Sequence, residues 1–351
     1  MAFNGPGFVD HHTHLLRVSA QIQPPYDYTS VESIAAYHRG LAASGYNPMD
    51  AVGDDVDERL DAQLMAGLSR ASDLGLCQIT EAGMHDWVYL DTLLRRRETD
   101  RLPCRVRVLV ASGLAEQGMR DRTGDADVDV IGVKFYADGW IGPRTCALCR
   151  PFDDVHPKDD GVLFWEPVPF ARAAQPFAEA GWTIATHAIG DRAVIAVLDA
   201  YELVFDGDAD AARANGARIE HAQVLSPAII DRIAGQGVTV CAQPSFAKSD
   251  AEAAPVALGD ERWKQSYDWA GLLRAGANVM LGSDFPIESL DPLVGLRDIT
   301  TKVTRGSQLD LATAYELMTD ASAGVTTLSA DPREIPTEDL KDLEVLGTHP
   351  A

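Results

Sequence analysis

Residues 183–203, TIATHAIGDRAVIAVLDAYEL, contain one complete strand–turn–helix unit. Thr183–His187 is a short apolar run with the composition of a buried strand, and Arg192–Leu203 carries apolar residues at the three- and four-residue spacing of a helix. Gly190 and Asp191 stand at the turn, and Asp191 is predicted to cap the helix with its carboxylate. Units of this kind, repeated along a chain, form a parallel sheet covered by helices.

The same alternation recurs on both sides of this unit. Helical patterns separate the apolar runs, for example over Val56–Leu74 and Phe170–Ala180. Eight runs are predicted as strands: Gly7–Asp10, Leu76–Thr80, Arg105–Ala111, Val130–Tyr136, Thr183–His187, Ala217–His221, Val238–Gln243 and Asn278–Ser283. They predict an α/β fold, a (β/α)8 TIM barrel over residues 1–323. Residues 324–351 are polar and weakly periodic, and are expected to form a loosely packed C-terminal tail.

The composition disfavours several classes of protein. Of 351 residues 46% are hydrophobic, which suits a large core, and the formal net charge of −23 disfavours nucleic acid and anionic membranes as partners. The start of the sequence lacks the pattern of a secretory leader, and no apolar run is long enough to span a membrane. We therefore expect a cytoplasmic protein that acts on a small molecule, with homo-oligomerisation left open.

Polar side chains of metal-ligand type fall at the carboxyl ends of the predicted strands, where barrel enzymes place their active sites. His12 and His14 form an H-x-H after the first strand, and side chains two apart on an extended segment point to the same side. Together with the other strand ends, the candidate ligands are His12, His14, Lys134, His187, His221 and Asp284. Imidazole and carboxylate ligands suit Zn²⁺ and related divalent ions, so we expect one or two such ions per chain.

Further polar and aromatic residues lie near the predicted mouth of the barrel. The candidates for substrate contact are His85, Tyr136, Asp138, Trp140, Arg144 and Gln243. Trp140 and Arg144 follow the fourth strand in a Gly-rich loop, where they could hold a ring or a carboxylate of the substrate. For His85, a loop histidine without a catalytic role is the alternative interpretation.

Six segments in order along the chain resemble the motifs of a known family. They are PGFVDHHTH (6–14), GVKFYADGWIGPRTCAL (132–148), THAIGDRA (186–193), RIEHAQ (218–223), AQPSF (242–246) and GSDFPIESLDP (282–292). They are similar to motifs of the YtcJ-like, or amidohydrolase 3, family of the amidohydrolase superfamily, whose members include N-substituted formamide deformylases. The resemblance covers about residues 5–325.

The resemblance implies a role for each candidate ligand. His12 and His14 would bind one metal ion together with Asp284, and His187 and His221 a second. Lys134 resembles the lysine that hydantoinase-type members carry as a carbamate bridging both ions, which fits the charge argument that an unmodified lysine would be a cation facing cations. The alternative is an unmodified Lys134 paired with Asp138 or Asp284 in a one-metal site.

One part of the family pattern is expected to be incomplete. Relatives carry a segment before the first strand and a closing strand after the barrel, which together make a small β-sandwich. We therefore expect a barrel without the complete flanking β-sandwich.

The reaction that this site predicts is hydrolysis of a carbon–nitrogen bond in an amide, formamide, cyclic amide or urea-like substrate. A metal-activated water is the nucleophile, Asp284 acts as general base and then general acid, and Tyr136 or His221 helps to stabilise the oxyanion. Two alternatives stay open. One is deamination of an amidine-like or heterocyclic substrate, and the other is a catalytically silent barrel that binds a metal or ligand.

Overall fold

The computed structural model describes residues 2–21 and 56–351. In this part of the chain the strands are β1 (Phe3–Thr13), β2 (Leu76–Met84), β3 (Arg105–Ala111), β4 (Val128–Tyr136), β5 (Thr183–Ala188), β6 (Arg218–His221), β7 (Thr239–Ala242), β8 (Asn278–Leu281), β9 (Thr319–Leu328) and β10 (Val345–Pro350). The eight strands predicted from the sequence correspond to β1–β8, with bounds that differ by a few residues.

Helices follow or separate these strands. They are α1 (Leu15–Gln21), α2 (Val56–Asp73), α3 (Trp87–Arg97), α4 (Ser112–Ala115), α5 (Pro167–Glu179), α6 (Asp191–Val204), α7 (Ala209–Asn215), α8 (Pro227–Gly235), α9 (Phe246–Ser249), α10 (Ala254–Leu258), α11 (Asp260–Gln265), α12 (Trp269–Arg274), α13 (Pro292–Ile299) and α14 (Leu311–Leu317), with 3₁₀ turns at Pro332–Glu334 and Thr337–Asp342. No helix among the described residues is both long and apolar enough to cross a membrane.

Strands β1 to β8 pair in sequence order, and every neighbouring pair is parallel. The first and last of them meet at a parallel bridge between Thr13 and Phe285, where the backbone N of His14 donates to Phe285 O at 2.8 Å. Asp10 reinforces the contact, since its carboxylate accepts from the backbone N of Ser283 at 3.0 Å. The predicted (β/α)8 barrel is confirmed, and its closure brings the end of β1 beside the segment after β8.

The prediction of a loose C-terminal tail is wrong. Residues 324–351 complete β9 and form β10, and the boundary placed after residue 323 falls inside β9. β9 pairs antiparallel with β1, and β10 with β9. Buried Thr326 donates to Gly75 O at 2.8 Å and accepts from the backbone N of Phe8 at 3.2 Å. The sequence pattern missed this hairpin because its inward residues include threonines, whose burial depends on partners distant in sequence.

The capping prediction for α6 is also wrong. Gly190 is the capping residue, and Asp191 is the first residue of the helix. A Cβ on Gly190 would lie 1.9 Å from Ala147 O, so the close approach of the loop after β4 leaves no room for a side chain there. The carboxylate of Asp191 instead accepts from the backbone N of Cys149 at 2.8 Å, which ties that loop to the helix.

Candidate active site

The H-x-H of β1 points into the barrel mouth. His12 is buried, and the side chain of His14 is 20% exposed. Both rings turn Nε2 towards the same atom, Asp284 Oδ1, at 3.4 Å from His12 and 3.2 Å from His14. The predicted meeting of these residues is therefore present, although about 270 positions separate them along the chain.

Asp284 is held by the segment that follows β8. Its backbone N donates to His12 O at 2.7 Å, and its φ of 57° lies in the left-handed region, which is uncommon for a non-glycine residue. Gly282, two residues earlier, faces β1 so closely that a Cβ would lie 2.4 Å from His12 N. The glycine permits the approach, and the unusual backbone turns the carboxylate towards the two histidines.

His187 and His221 stand at the ends of β5 and β6 with ring centroids 4.5 Å apart, and His221 lies 4.9 Å from the ring of His12. The Nδ1 of His221 lies 2.7 Å from Gln243 Oε1, and the Nε2 of His187 lies 2.9 Å from Gly139 O. A carbonyl oxygen accepts, so each of these nitrogens carries the proton and the other nitrogen of each ring keeps its lone pair. Burial lowers the pKa of His187 to about 3 and that of His221 well below its usual value, so both rings are neutral.

Lys134 lies inside the barrel on β4. Its side chain is buried, and its Nζ lies 4.8 Å from the ring centroid of Tyr136. Among the described residues, the structure shows no ion pair from Lys134 to Asp138 or Asp284, the partners of the unmodified alternative. Burial lowers the pKa of its ammonium group, against the opposing effect of Glu220 and Asp284.

A buried carboxylate that the sequence analysis missed lies behind His12. Glu220 Oε2 is 2.6 Å from His12 Nδ1, and Glu220 Oε1 is 2.5 Å from Arg218 Nε. Burial would raise the pKa of Glu220, but Arg218 and His12 hold it well below its usual range. Consecutive strand residues normally face opposite sides; a φ of 77° at His221 accompanies the turn that lets Glu220 and His221 serve the same site. The available sequence signal was the pair of opposite charges, Arg218 and Glu220, within the predicted strand.

The donor atoms fit a divalent metal ion. His12 Nε2 and His14 Nδ1 are buried and have no hydrogen-bond partner among the residues that the structure describes, which is unfavourable for polar atoms unless a ligand binds them. The ligand atoms of His12, His14 and Asp284 all lie within 4.8 Å of one another. Nitrogen and carboxylate donors are those that Zn²⁺ and similar ions prefer. A second grouping, of His12, Glu220 and Cys241, already contains the cation of Arg218 at its carboxylate.

All six predicted ligands line one cavity of about 370 Å³ at the barrel mouth. The remaining walls are mostly apolar, with a few charged and polar groups. They consist of Arg17, Val18, Tyr136, Trp140, Ile141, Gly142, Ile189, Gln223, Phe246, Ser249, Asp250, Pro286, Ile287 and Glu288. Tyr136 and Trp140 are thus where the sequence analysis placed them, whereas Arg17 and Glu288 were not anticipated.

Four predicted substrate-contact residues lie outside this cavity lining. Arg144 is paired with Asp154 at 2.5 Å and donates to loop carbonyls. Gln243 contacts His221 instead. His85 is partly buried, and burial lowers its pKa to about 4.

Asp138 is the fourth predicted substrate-contact residue that lies outside the cavity lining, and it joins two loops. Its carboxylate accepts from the backbone N atoms of Ala147 at 2.9 Å, Ile189 at 3.0 Å and Gly190 at 2.9 Å. It also lies 3.4 Å from His187 Nε2. Its position after the fourth strand did not reveal whether Asp138 faces the cavity or, as the structure shows, connects the loops that form the cavity wall.

The fold and this strand-end cluster define the class: a (β/α)8 barrel with a histidine- and aspartate-lined site at the carboxyl ends of its strands. The chain belongs to the amidohydrolase family, whose sequence profile matches residues 48–331. His12 and His14 precede the matched range, so their place in the site rests on the geometry.

Individual proteins are similar to this chain in sequence or in fold. The amidohydrolase YtcJ of Bacillus subtilis (strain 168) is 32% identical over 251 residues, which are 63% of this chain and 46% of YtcJ, so the chain spans less than half the length of this relative. A metal-dependent hydrolase of Pyrococcus furiosus superposes with a TM-score of 0.76 at 19% identity, over 95% of this chain and 88% of that one. Atrazine chlorohydrolase TrzN of Arthrobacter aurescens TC1, in a complex with zinc, gives a TM-score of 0.51 at 15% identity over 98% and 81% of the two chains.

Proposed function

We propose that this protein is a metal-dependent hydrolase that cleaves a carbon–nitrogen bond in a small amide, formamide or cyclic amide. The observation that carries the proposal is the position of Asp284, whose Oδ1 faces Nε2 of both His12 and His14 in the cavity. Burial would raise the pKa of this carboxyl, but His12 and His14 hold it well below its usual range, so it is an anion able to accept a proton. A cavity of about 370 Å³ suits a small molecule.

The residues that would hold divalent metal are His12, His14, Lys134, His187, His221 and Asp284. A bound ion would supply Lewis acidity for the scissile carbonyl and lower the pKa of water. We propose Zn²⁺, one or two ions per chain, because the donors are imidazoles and a carboxylate and because a neighbour in fold is described with zinc.

Asp284, Tyr136 and His221 have different roles in the proposed reaction. Asp284 takes a proton from the attacking water and delivers it to the departing nitrogen. Burial raises the pKa of Tyr136 far above neutrality, so its hydroxyl keeps its proton and can donate a hydrogen bond to the oxyanion as it forms. His221 is fixed by Gln243 at the same wall of the cavity.

We propose in addition that Lys134 carries a carbamate. A neutral amine adds to carbon dioxide, forming an N–C bond and releasing one proton, and the product is an anion. Burial favours the neutral amine that this addition requires. An anion among the four histidines and Asp284 would complete a site for two ions better than an ammonium group, which opposes cations.

The test is the substitution Asp284→Asn, assayed with N-substituted formamides, N-acyl amino acids and cyclic imides by the amine released. We expect kcat to fall by roughly 10²- to 10⁴-fold with the fold retained. Asp199→Asn, at a surface pair with Arg232, is the control. Turnover by the Asp284→Asn protein at the parent rate would disprove the role of Asp284, and release of ammonia alone from heterocyclic amines would identify a deaminase.

A further inference from the structure

Arg17 projects from the first turn of α1, three residues after His14. The side chains of both residues line the cavity. The start of this helix is fixed by buried Glu81, which accepts from the backbone N of Leu16 at 2.8 Å and also from that of Arg17. The guanidinium is therefore presented on the His14 side of the cavity by a well-anchored element.

The hydrogen-bonding capacity of Arg17 is not fully used. Its Nε is buried and has no hydrogen-bond partner in the described part of the chain. Within residues 2–21 and 56–351, no carboxylate forms an ion pair with it. A guanidinium presents a planar fork of donors that matches a carboxylate, and a buried donor left without an acceptor is unfavourable.

Arg144 differs from Arg17 in each of these respects. Its Nε and Nη2 contact Asp154 at 3.1 and 2.5 Å, and its Nη1 donates to Ile141 O and Gly142 O. It does not line the cavity. Of these two arginines, Arg17 is the one whose Nε has no acceptor among residues 2–21 and 56–351.

Two acidic side chains of the cavity are hydrogen-bonded to hydroxyl groups. Asp250 accepts from the Tyr267 hydroxyl, and Glu288 accepts from Ser249. Apolar side chains line much of the remaining wall, among them Val18, Ile141, Ile189, Phe246 and Ile287. A ligand that uses this wall carries an apolar group.

We propose that Arg17 binds a carboxylate of the substrate, so that the preferred substrates are amides or cyclic amides with a carboxylate on the His14 side of the scissile bond and an apolar substituent. This inference rests on the proposed function for the bond that is cleaved. It assigns to Arg17 the selection between acidic and neutral substrates.

The experiment compares N-acetyl amino acids with apolar side chains, in both enantiomers, with their carboxamides, and follows the acetate released. We expect the parent protein to prefer acids, and Arg17→Met to lower kcat/KM for the acids by about 30-fold or more while changing that for the carboxamides by less than about threefold. Arg17→Lys keeps the positive charge but lacks the planar fork of donors, so it should retain part of the preference for acids that Arg17→Met loses. Arg122→Met, at an exposed residue that donates to Gly181 O and stacks on Trp182, is the matched control.

Measurements of ligand binding test the role of Arg17 independently of the proposed hydrolysis. Calorimetry on the Asp284→Asn protein should show tighter binding of acids than of carboxamides, and adding Arg17→Met should remove the difference. Acid binding that depends on Arg17, without hydrolysis by the parent protein, would overturn the proposed function alone. Equal binding of acids and carboxamides, equal losses on both in Arg17→Met, or loss of acid preference in Arg144→Met instead, would overturn the role of Arg17.

Discussion

His12 Nδ1 lies 2.6 Å from Glu220 Oε2, in a part of the barrel where both side chains are buried. A carboxylate can only accept, so the imidazole proton sits on Nδ1 and the lone pair of Nε2 is directed to the side of Asp284. Arg218 Nε, 2.5 Å from the other oxygen, keeps Glu220 charged. The ion pair thereby selects the ring tautomer that can bind a metal ion.

Glu220→Gln should reverse this tautomer. Arg218 only donates, so the amide oxygen turns to Arg218 and the amide NH₂ faces His12 Nδ1, which moves the imidazole proton to Nε2. We expect zinc affinity, measured by competition with a chelator, to fall by about 10- to 100-fold. Burial lowers the pKa of His12, but Asp284 and Glu220 raise it above its usual value, so nitrogen NMR of the metal-free protein should show the tautomer change at alkaline pH, where the ring is neutral. Glu179→Gln, bonded to Gln175 at 2.9 Å on an exposed helix, is the control, and an unchanged tautomer would refute the argument.

Purified protein should contain one to two equivalents of a divalent transition metal. His12→Ala removes His12 Nε2, a buried nitrogen without a hydrogen-bond partner among the described residues, and should lower the metal content. Lys134→Ala should lose at least one ion and activity, which short-chain carboxylic acids should partly restore. Elemental analysis measures each result, with Lys302→Ala as the control. Full metal content in Lys134→Ala would argue against the bridging carbamate.

Glu81 should make stability depend on pH. Burial raises its pKa from 4.5 to about 7, despite the backbone donors of Leu16 and Arg17. The folded state then binds more protons than the unfolded state between these values, so the contribution of Glu81 to the free energy of unfolding falls as pH rises through this window. Relative to Glu81→Gln, the parent should lose on the order of 3 kcal/mol between pH 4.5 and 7.5. Denaturant unfolding of the metal-free proteins tests this, and a pH-independent difference would contradict it.

Thr326→Val should destabilise the protein by about 2 kcal/mol. Valine keeps the shape but leaves Gly75 O and the backbone N of Phe8 without the hydroxyl that both contact. Thr327→Val, on the next residue of β9, removes a hydroxyl that donates to the Asn4 side chain at an exposed position, and should change stability by less than about 0.5 kcal/mol. Equal stability of both variants in thermal unfolding would mean that β9 is not part of the cooperative fold.

The sequence by itself determined the barrel and the ligand candidates. Both signals are local: the apolar runs alternate with helical patterns, and His12, His14, His187 and His221 lie at or just after the carboxyl ends of the predicted strands. In a parallel barrel the carboxyl ends of all strands meet, so strand-end positions suffice to bring distant ligands together. The predicted convergence of His12 and Asp284 depended on this rule alone.

Only the tertiary structure decided which side chains face the cavity. Arg144 and Asp138 follow the same strand as Trp140, yet Arg144 is bound to Asp154 and Asp138 to backbone N atoms, whereas Trp140 lines the cavity. Arg17 and Glu220 acquire their places through partners far along the chain, Glu81 for Arg17 and His12 for Glu220. The direction in which a loop or interior side chain points depends on packing and hydrogen bonds between distant segments, so a local sequence pattern does not predict it.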